Sequence, residues 1–142
     1  MLTTSRLAAS SFRELKKLAQ DFYFNTWRGH EKPAPAFQGE IVRATRRGWI
    51  YITGKSTTGD VKRRLALLPL AKEIIEKVNT VHDFRHERAL HHNEGKTLIV
   101  ETRFWSLIAE TKYGKVKVIV EEMCNDGKPQ GKHFLSVFAI EE

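Results

Sequence analysis

The stretch Lys115-Val116-Lys117-Val118-Ile119-Val120-Glu121 sets valines at 116, 118 and 120 against Lys115, Lys117 and Glu121. Successive side chains of a strand point to opposite faces, so this alternation predicts a half-buried strand whose valine face meets a core. Outward from it, Leu98 to Glu110 reads as a long preceding strand and Lys132 to Ile140 as the last one. The turn Asn125-Asp126-Gly127-Lys128-Pro129-Gln130-Gly131 separates the final two. Three such strands in succession predict an antiparallel meander.

Upstream the period changes. Ser10 or Ser11 is the expected N-cap, Glu14 completing a capping box with Ser11, and Phe12, Leu15, Leu18, Ala19, Phe22 and Tyr23 follow at helical spacing. Gly29 to Pro35 ends that helix as an extended linker. Two short strands are expected at about 39–45 and 48–53, joined at Arg46-Arg47-Gly48 as a tight hairpin that extends the sheet, with Gly48 available for positive φ. Val61, Leu65 and Leu68 then form one helical face. Pro69 interrupts, and Leu70, Ile74, Ile75 and Val78 continue on a second short helix. Residues 80–95, polar and rich in His, read as an irregular or marginally helical region, without a strand. The fold class expected is α+β, helices segregated against one sheet, in one domain over 1–142 with a helix and linker to residue 37 and a sheet core from 38.

Charge is divided unevenly along the chain. Residues 1–66 carry 13 Lys/Arg against 5 Asp/Glu, whereas 67–142 carry 11 against 12, so the net +7 arises in the first part. A concentrated basic field attracts polyanions, and the aromatic residues Trp49 and Tyr51 lie among the cations Arg43, Arg46, Arg47 and Lys55. Aromatic rings stack on unpaired bases, so this segment reads as a nucleic-acid surface. The single cysteine, Cys124, allows neither an intramolecular disulfide nor a Cys-based zinc site. No apolar run approaches the roughly 18 residues that span a bilayer, and Met1 to Arg6 lacks the apolar core of a secretory signal. The expectation is no membrane partner and synthesis in the cytoplasm, with delivery to another cell by a signal-independent route left open.

Three motifs bear on chemistry. His82, His86, His91 and His92 invite a metal reading, but the spacing is not His-Glu-x-x-His, and the run reads as solvated polar chain with no metal or cofactor expected. Gly54 and Gly59 do not have the phosphate-loop spacing, although a Gly/Ser/Thr loop opening a helix near Asp60 can offer backbone N–H groups to a phosphate. Lys62, Arg63 and Arg64 follow in the first turns of that helix. In the last strand, period two predicts Phe134, Ser136 and Phe138 on one face and His133, Leu135 and Val137 on the other. Trp105 reads as core.

Gly39-Glu40-Ile41-Val42, Gly48-Trp49-Ile50-Tyr51-Ile52, Arg64-Leu65-Ala66-Leu67-Leu68-Pro69, Phe104-Trp105 and Phe134-Leu135-Ser136-Val137-Phe138 together resemble the phage-associated branch of the barnase/EndoU/colicin/RelE-like nucleases, the colicin D-like tRNA nucleases among them. The resemblance covers about residues 38–140. It implies N-terminal helices on a curved antiparallel sheet of four to five strands, and metal-independent cleavage of RNA, tRNA included, by a toxin or prophage-type enzyme with an immunity or antitoxin partner. It also implies that Ser136 and Phe138 border the scissile phosphate. Where many relatives carry His, this chain has Tyr51, so the implied chemistry follows those RelE-like members that use Tyr, Arg and Lys.

The expected site is a cleft between the second hairpin strand, the helix start at 55–64 and the last strand. Tyr51, Lys55, Arg63 and Ser136 are the candidate catalytic residues, and Arg46, Arg47, Trp49, Arg64 and Phe138 the candidate substrate contacts. The alternative from another class is a non-catalytic RNA-binding or protein-interaction domain on the same fold.

Overall fold

Ser11 caps the helix that opens the ordered core: its hydroxyl accepts from the Glu14 backbone N–H at 3.3 Å. A computed structural model describes residues 2–54 and 57–140. After a short α1 (Thr4–Ala9), α2 (Phe12–Asp21) continues directly into a π-helical turn, Phe22–Trp27. That wider turn brings Phe22, Tyr23 and Trp27 to the interior together, where Tyr23 and Trp27 pack on Phe134 of the sheet with ring centroids 6.1 and 5.0 Å away.

The chain then lays down β1 (Pro33–Ala34) and β2 (Glu40–Arg43), an antiparallel pair. The hairpin expected at 39–53 is corrected here. Residues 46–53 form helix α3 (Arg46–Thr53), and β2 instead joins the last strand in parallel through Val42 and Arg43. Trp49 and Ile52, three residues apart, are buried, while Ile50 and Tyr51 face outward. Gly48 is no turn residue but a helical one, set where a side chain would strike the Phe134 carbonyl.

Tyr23 ties this region together. Its buried hydroxyl donates to the Thr45 carbonyl at 2.6 Å, at the entry to α3. Tyr23→Phe is expected to cost about 1 kcal/mol in a denaturant titration, the effect of leaving that carbonyl with only its longer 3.4 Å bond from the Trp49 N–H. Burial pushes the Tyr23 phenol well above its usual value. A raised folded pKa contributes stability that is full below the unfolded value of about 10 and lost as pH rises beyond it. The phenylalanine variant should therefore show a flatter alkaline limb.

Helices α4 (Thr58–Ala66) and α5 (Leu68–Lys77) follow, α4 capped by Thr57 and α5 carrying Pro69 in its first turn, where no N–H is needed. Four long strands complete the chain: β3 (Asp83–Asn93), β4 (Lys96–Thr111), β5 (Gly114–Asn125) and β6 (Lys128–Ile140). The irregular or marginally helical region expected over 80–95 is thus mostly strand, and the meander has four strands, not three. The sheet order is β1-β2-β6-β5-β4-β3, antiparallel throughout except at β2–β6. The fold is α+β with helices packed on the sheet.

Val116, Val118 and Val120 meet Leu107, Phe134 and Val137 on one face, under Leu65, Leu68, Ala71, Ile74 and Ile75 of the helices. Burying each such side chain contributes about 1.5–3 kcal/mol. Trp105 lies at the margin of this core, partly buried against Phe37. The opposite face of the sheet carries the charged cleft.

Candidate functional site

A β-bulge decides what that face presents. In the β5–β6 ladder Ile119 pairs with Ser136 but Val120 pairs with Phe134, so Leu135 is an extra residue on β6. The expected alternation is therefore broken. Phe134 goes into the core with Val137, and His133 joins Ser136 and Phe138 on the cleft face opposite Glu121, Ile119 and Lys117. A regular strand would have kept His133 away from Ser136.

The centre of the cleft is Glu121, 2% exposed. Its Oε1 accepts from Arg47 Nε at 2.5 Å and lies 2.7 Å from His133 Nε2, while Arg47 Nη2 reaches Oε2 at 3.2 Å. Burial alone would push this carboxyl up; the hydrogen bonds from His133 and Arg47 outweigh it and hold the group below its usual range. Glu121 is thus an ionised carboxylate at neutral pH. The same bond raises the Arg47 guanidinium further. Oε1 is fully engaged by two partners, whereas Oε2 has the single longer contact and can accept from a ligand hydroxyl.

Helix α3 delivers Arg47 and Tyr51 to the cleft, one turn apart on the same helical face. Helix α4 delivers Arg64, whose Nη1 donates to the buried Ser136 hydroxyl at 2.5 Å and to the Val137 carbonyl at 3.3 Å, with its guanidinium 5.1 Å from the Phe138 ring centre. Lys117 approaches the same ring, and Arg85 of β3 lies 4.9 Å over Phe104 beside Glu121. Four cations and a tyrosine thus share the groove with the buried Glu121 and with Asp83 and Glu87 of β3, between two aromatic rings. These groups have the chemistry to hold a phosphate, to stack on a base and to take up a proton.

Of the residues expected from sequence, the cleft brings together Arg47, Tyr51, Arg64, Ser136 and Phe138. It does not include Trp49, which is buried because its segment is helical and its ring packs on Tyr23 and Phe24. Arg63 points outward on α4 and pairs with Asp60 at 3.0 Å, and Arg46 lies outside the cleft on an adjoining surface with Ile50, the two sharing Arg47 and Tyr51. Lys55 lies outside the described residues. The His run of 82–92 is on β3 and its start, so His82 and His86 share no helical face. Among the described residues no group of three or more His, Cys, Asp or Glu is placed to hold a metal ion.

Glu121, His133, Arg85 and Lys117 were not among the expected site residues. The adjacent pair Glu121-Glu122 inside an apolar strand was a usable signal, since two successive acids cannot both face water on a covered sheet. For His133 the alternation pointed the wrong way, because nothing in Phe134-Leu135-Ser136-Val137 marks the bulge.

Family models, curated proteins and solved structures yield no match to this chain. No helix among the described residues is long and apolar enough to cross a membrane.

Proposed function

We propose that this protein is a ribonuclease that cleaves RNA with its own side chains as base, acid and phosphate clamp. The observation that carries the reading is the buried, ionised Glu121, held between Arg47 and His133 on the floor of a cationic groove. In the proposed reaction the ribose 2′-OH gives its proton to Glu121 Oε2, and the 2′-oxygen forms a bond to phosphorus. The bond from phosphorus to the 5′-oxygen breaks, and that oxygen takes a proton from Tyr51. The products are a 2′,3′-cyclic phosphate and a free 5′-hydroxyl. Arg64, Lys117 and Arg47 stabilise the added charge on the phosphorane. His133, 12% exposed at its side chain, positions Glu121. A toxin or prophage setting, tRNA as substrate and an immunity partner rest on the family resemblance alone.

The clamp is tested by comparing two neighbouring arginines. Arg64→Ala should weaken binding of a single-stranded RNA oligonucleotide by about tenfold and reduce the slope of log affinity against log salt by nearly one. Arg63→Ala, which removes a cation outside the groove, should leave affinity within about twofold in the same assay. Equal losses in both variants would mean that diffuse basicity, not this groove, binds RNA.

A further inference from the structure

We propose that the outer edge of β3 pairs with β3 of a second copy of this chain, antiparallel and centred on His86, so that two sheets and two clefts become continuous. β3 ends the sheet. It is eleven residues long and pairs with β4 without a single register shift, and residues 82–92 are all exposed. An edge of this kind offers a row of unpaired N–H and C=O groups. Natural edges are blunted by shortness, proline, a bulge or charged side chains, lysine above all. The other edge is blunted in this way, being the two-residue β1 with Pro33. Asp83–Asn93 contains no proline, no lysine and no bulge, and its charges, Asp83, Arg85, Glu87 and Arg88, are of both signs, which repels an unrelated strand less than it selects a complementary one.

Charge selects both the partner and the register. On the cleft face Arg85 and Glu87 form no ion pair among the described residues, Arg85 lying over the Phe104 ring instead. In a twofold pairing centred on His86, Arg85 stands opposite the partner's Glu87, and Glu87 opposite the partner's Arg85. On the other face Phe84 stands opposite the partner's Arg88, a cation over an exposed ring. Directly opposed opposite charges and cation–ring pairs stabilise a ladder. Centring the pair on Arg85 or on Glu87 would instead oppose each to its own copy, like charge to like. The stretch Phe84-Arg85-His86-Glu87-Arg88 is therefore complementary to itself in this register, which is the requirement of a twofold interface.

The test is the mass of the full chain in solution by light scattering across a concentration series. The expected result is a species of twice 16.4 kDa. Arg85→Glu puts a carboxylate opposite the partner's Glu87, and Glu87→Arg puts a cation opposite the partner's Arg85. Each single variant should weaken self-association by roughly tenfold or more, with unchanged circular dichroism. The double exchange, R85E with E87R, should restore the doubled mass. A wild-type chain that stays at 16.4 kDa at every concentration would overturn the proposal, including one that binds only a different protein. A dimer unaffected by both single exchanges would overturn it as well.

Discussion

Glu121→Gln should cut RNA cleavage drastically while leaving RNA bound. The amide keeps the shape of the carboxylate but cannot take the 2′-OH proton, so the cleavage rate should fall by about two to four orders of magnitude. Affinity for the oligonucleotide should change little, or increase, because a negative charge has left a cationic groove. pH provides a second readout. The carboxyl is held below its ordinary range by His133 and Arg47, so wild-type activity should persist as pH falls through the ordinary glutamate range and fail only at the lower pH where Oε2 is protonated. The same shift is linked to stability. A depressed folded pKa contributes stability that is full above the unfolded value and lost as pH falls through the lowered folded one, so the glutamine variant should lack this part of the acid limb. A variant as active as the wild type would remove Glu121 from the chemistry.

Gly48→Ala should be the most damaging single-methyl change in the protein. A Cβ at this position would lie 2.3 Å from the Phe134 carbonyl oxygen and 2.8 Å from the Tyr23 hydroxyl. Neither can retreat, since the carbonyl belongs to the central β6 and Tyr23 is fully buried and bonded to Thr45. Helix α3 must therefore lift from the sheet, at an expected cost of about 3 kcal/mol or more in thermal or urea unfolding. Because α3 carries Arg47 and Tyr51, activity should fall even at temperatures where the variant stays folded. Gly59→Ala is the control: among the described residues its Cβ meets only Arg63 Nη2, at 3.6 Å in the first turns of α4, and stability should be unchanged or raised by about 0.5 kcal/mol.

The particular elements explain what the sequence could and could not reveal. Val116, Val118 and Val120 alternate because one face of β5 meets the helices and the other lines an open cleft, so the strand was legible from its period. Leu15, Ala19, Leu65 and Ile74 repeat at helical spacing for the same reason. Trp49-Ile50-Tyr51-Ile52-Thr53 misled because its aromatic and β-branched residues favour strands locally, while tertiary packing of Trp49 and Ile52 under Gly48 made it a helix. β3 was hidden by its exposure, since an edge strand with little buried surface shows no apolar period. In the site, Arg47 and Arg64 were legible from charge, but charge could not separate them from Arg46 and Arg63, which lie outside the cleft. The acid and histidine were not, because a one-residue bulge at Leu135 decides which face His133 takes.

The central claim is that this cleft cleaves RNA through its own base, and the chemistry of the product ends tests it most directly. Total tRNA incubated with purified protein in EDTA should yield discrete fragments ending in 2′,3′-cyclic phosphate and beginning with a 5′-hydroxyl, and Glu121→Gln should yield none. Intact tRNA with the wild-type protein, 5′-phosphate ends, or equal fragmentation by the glutamine variant would contradict it.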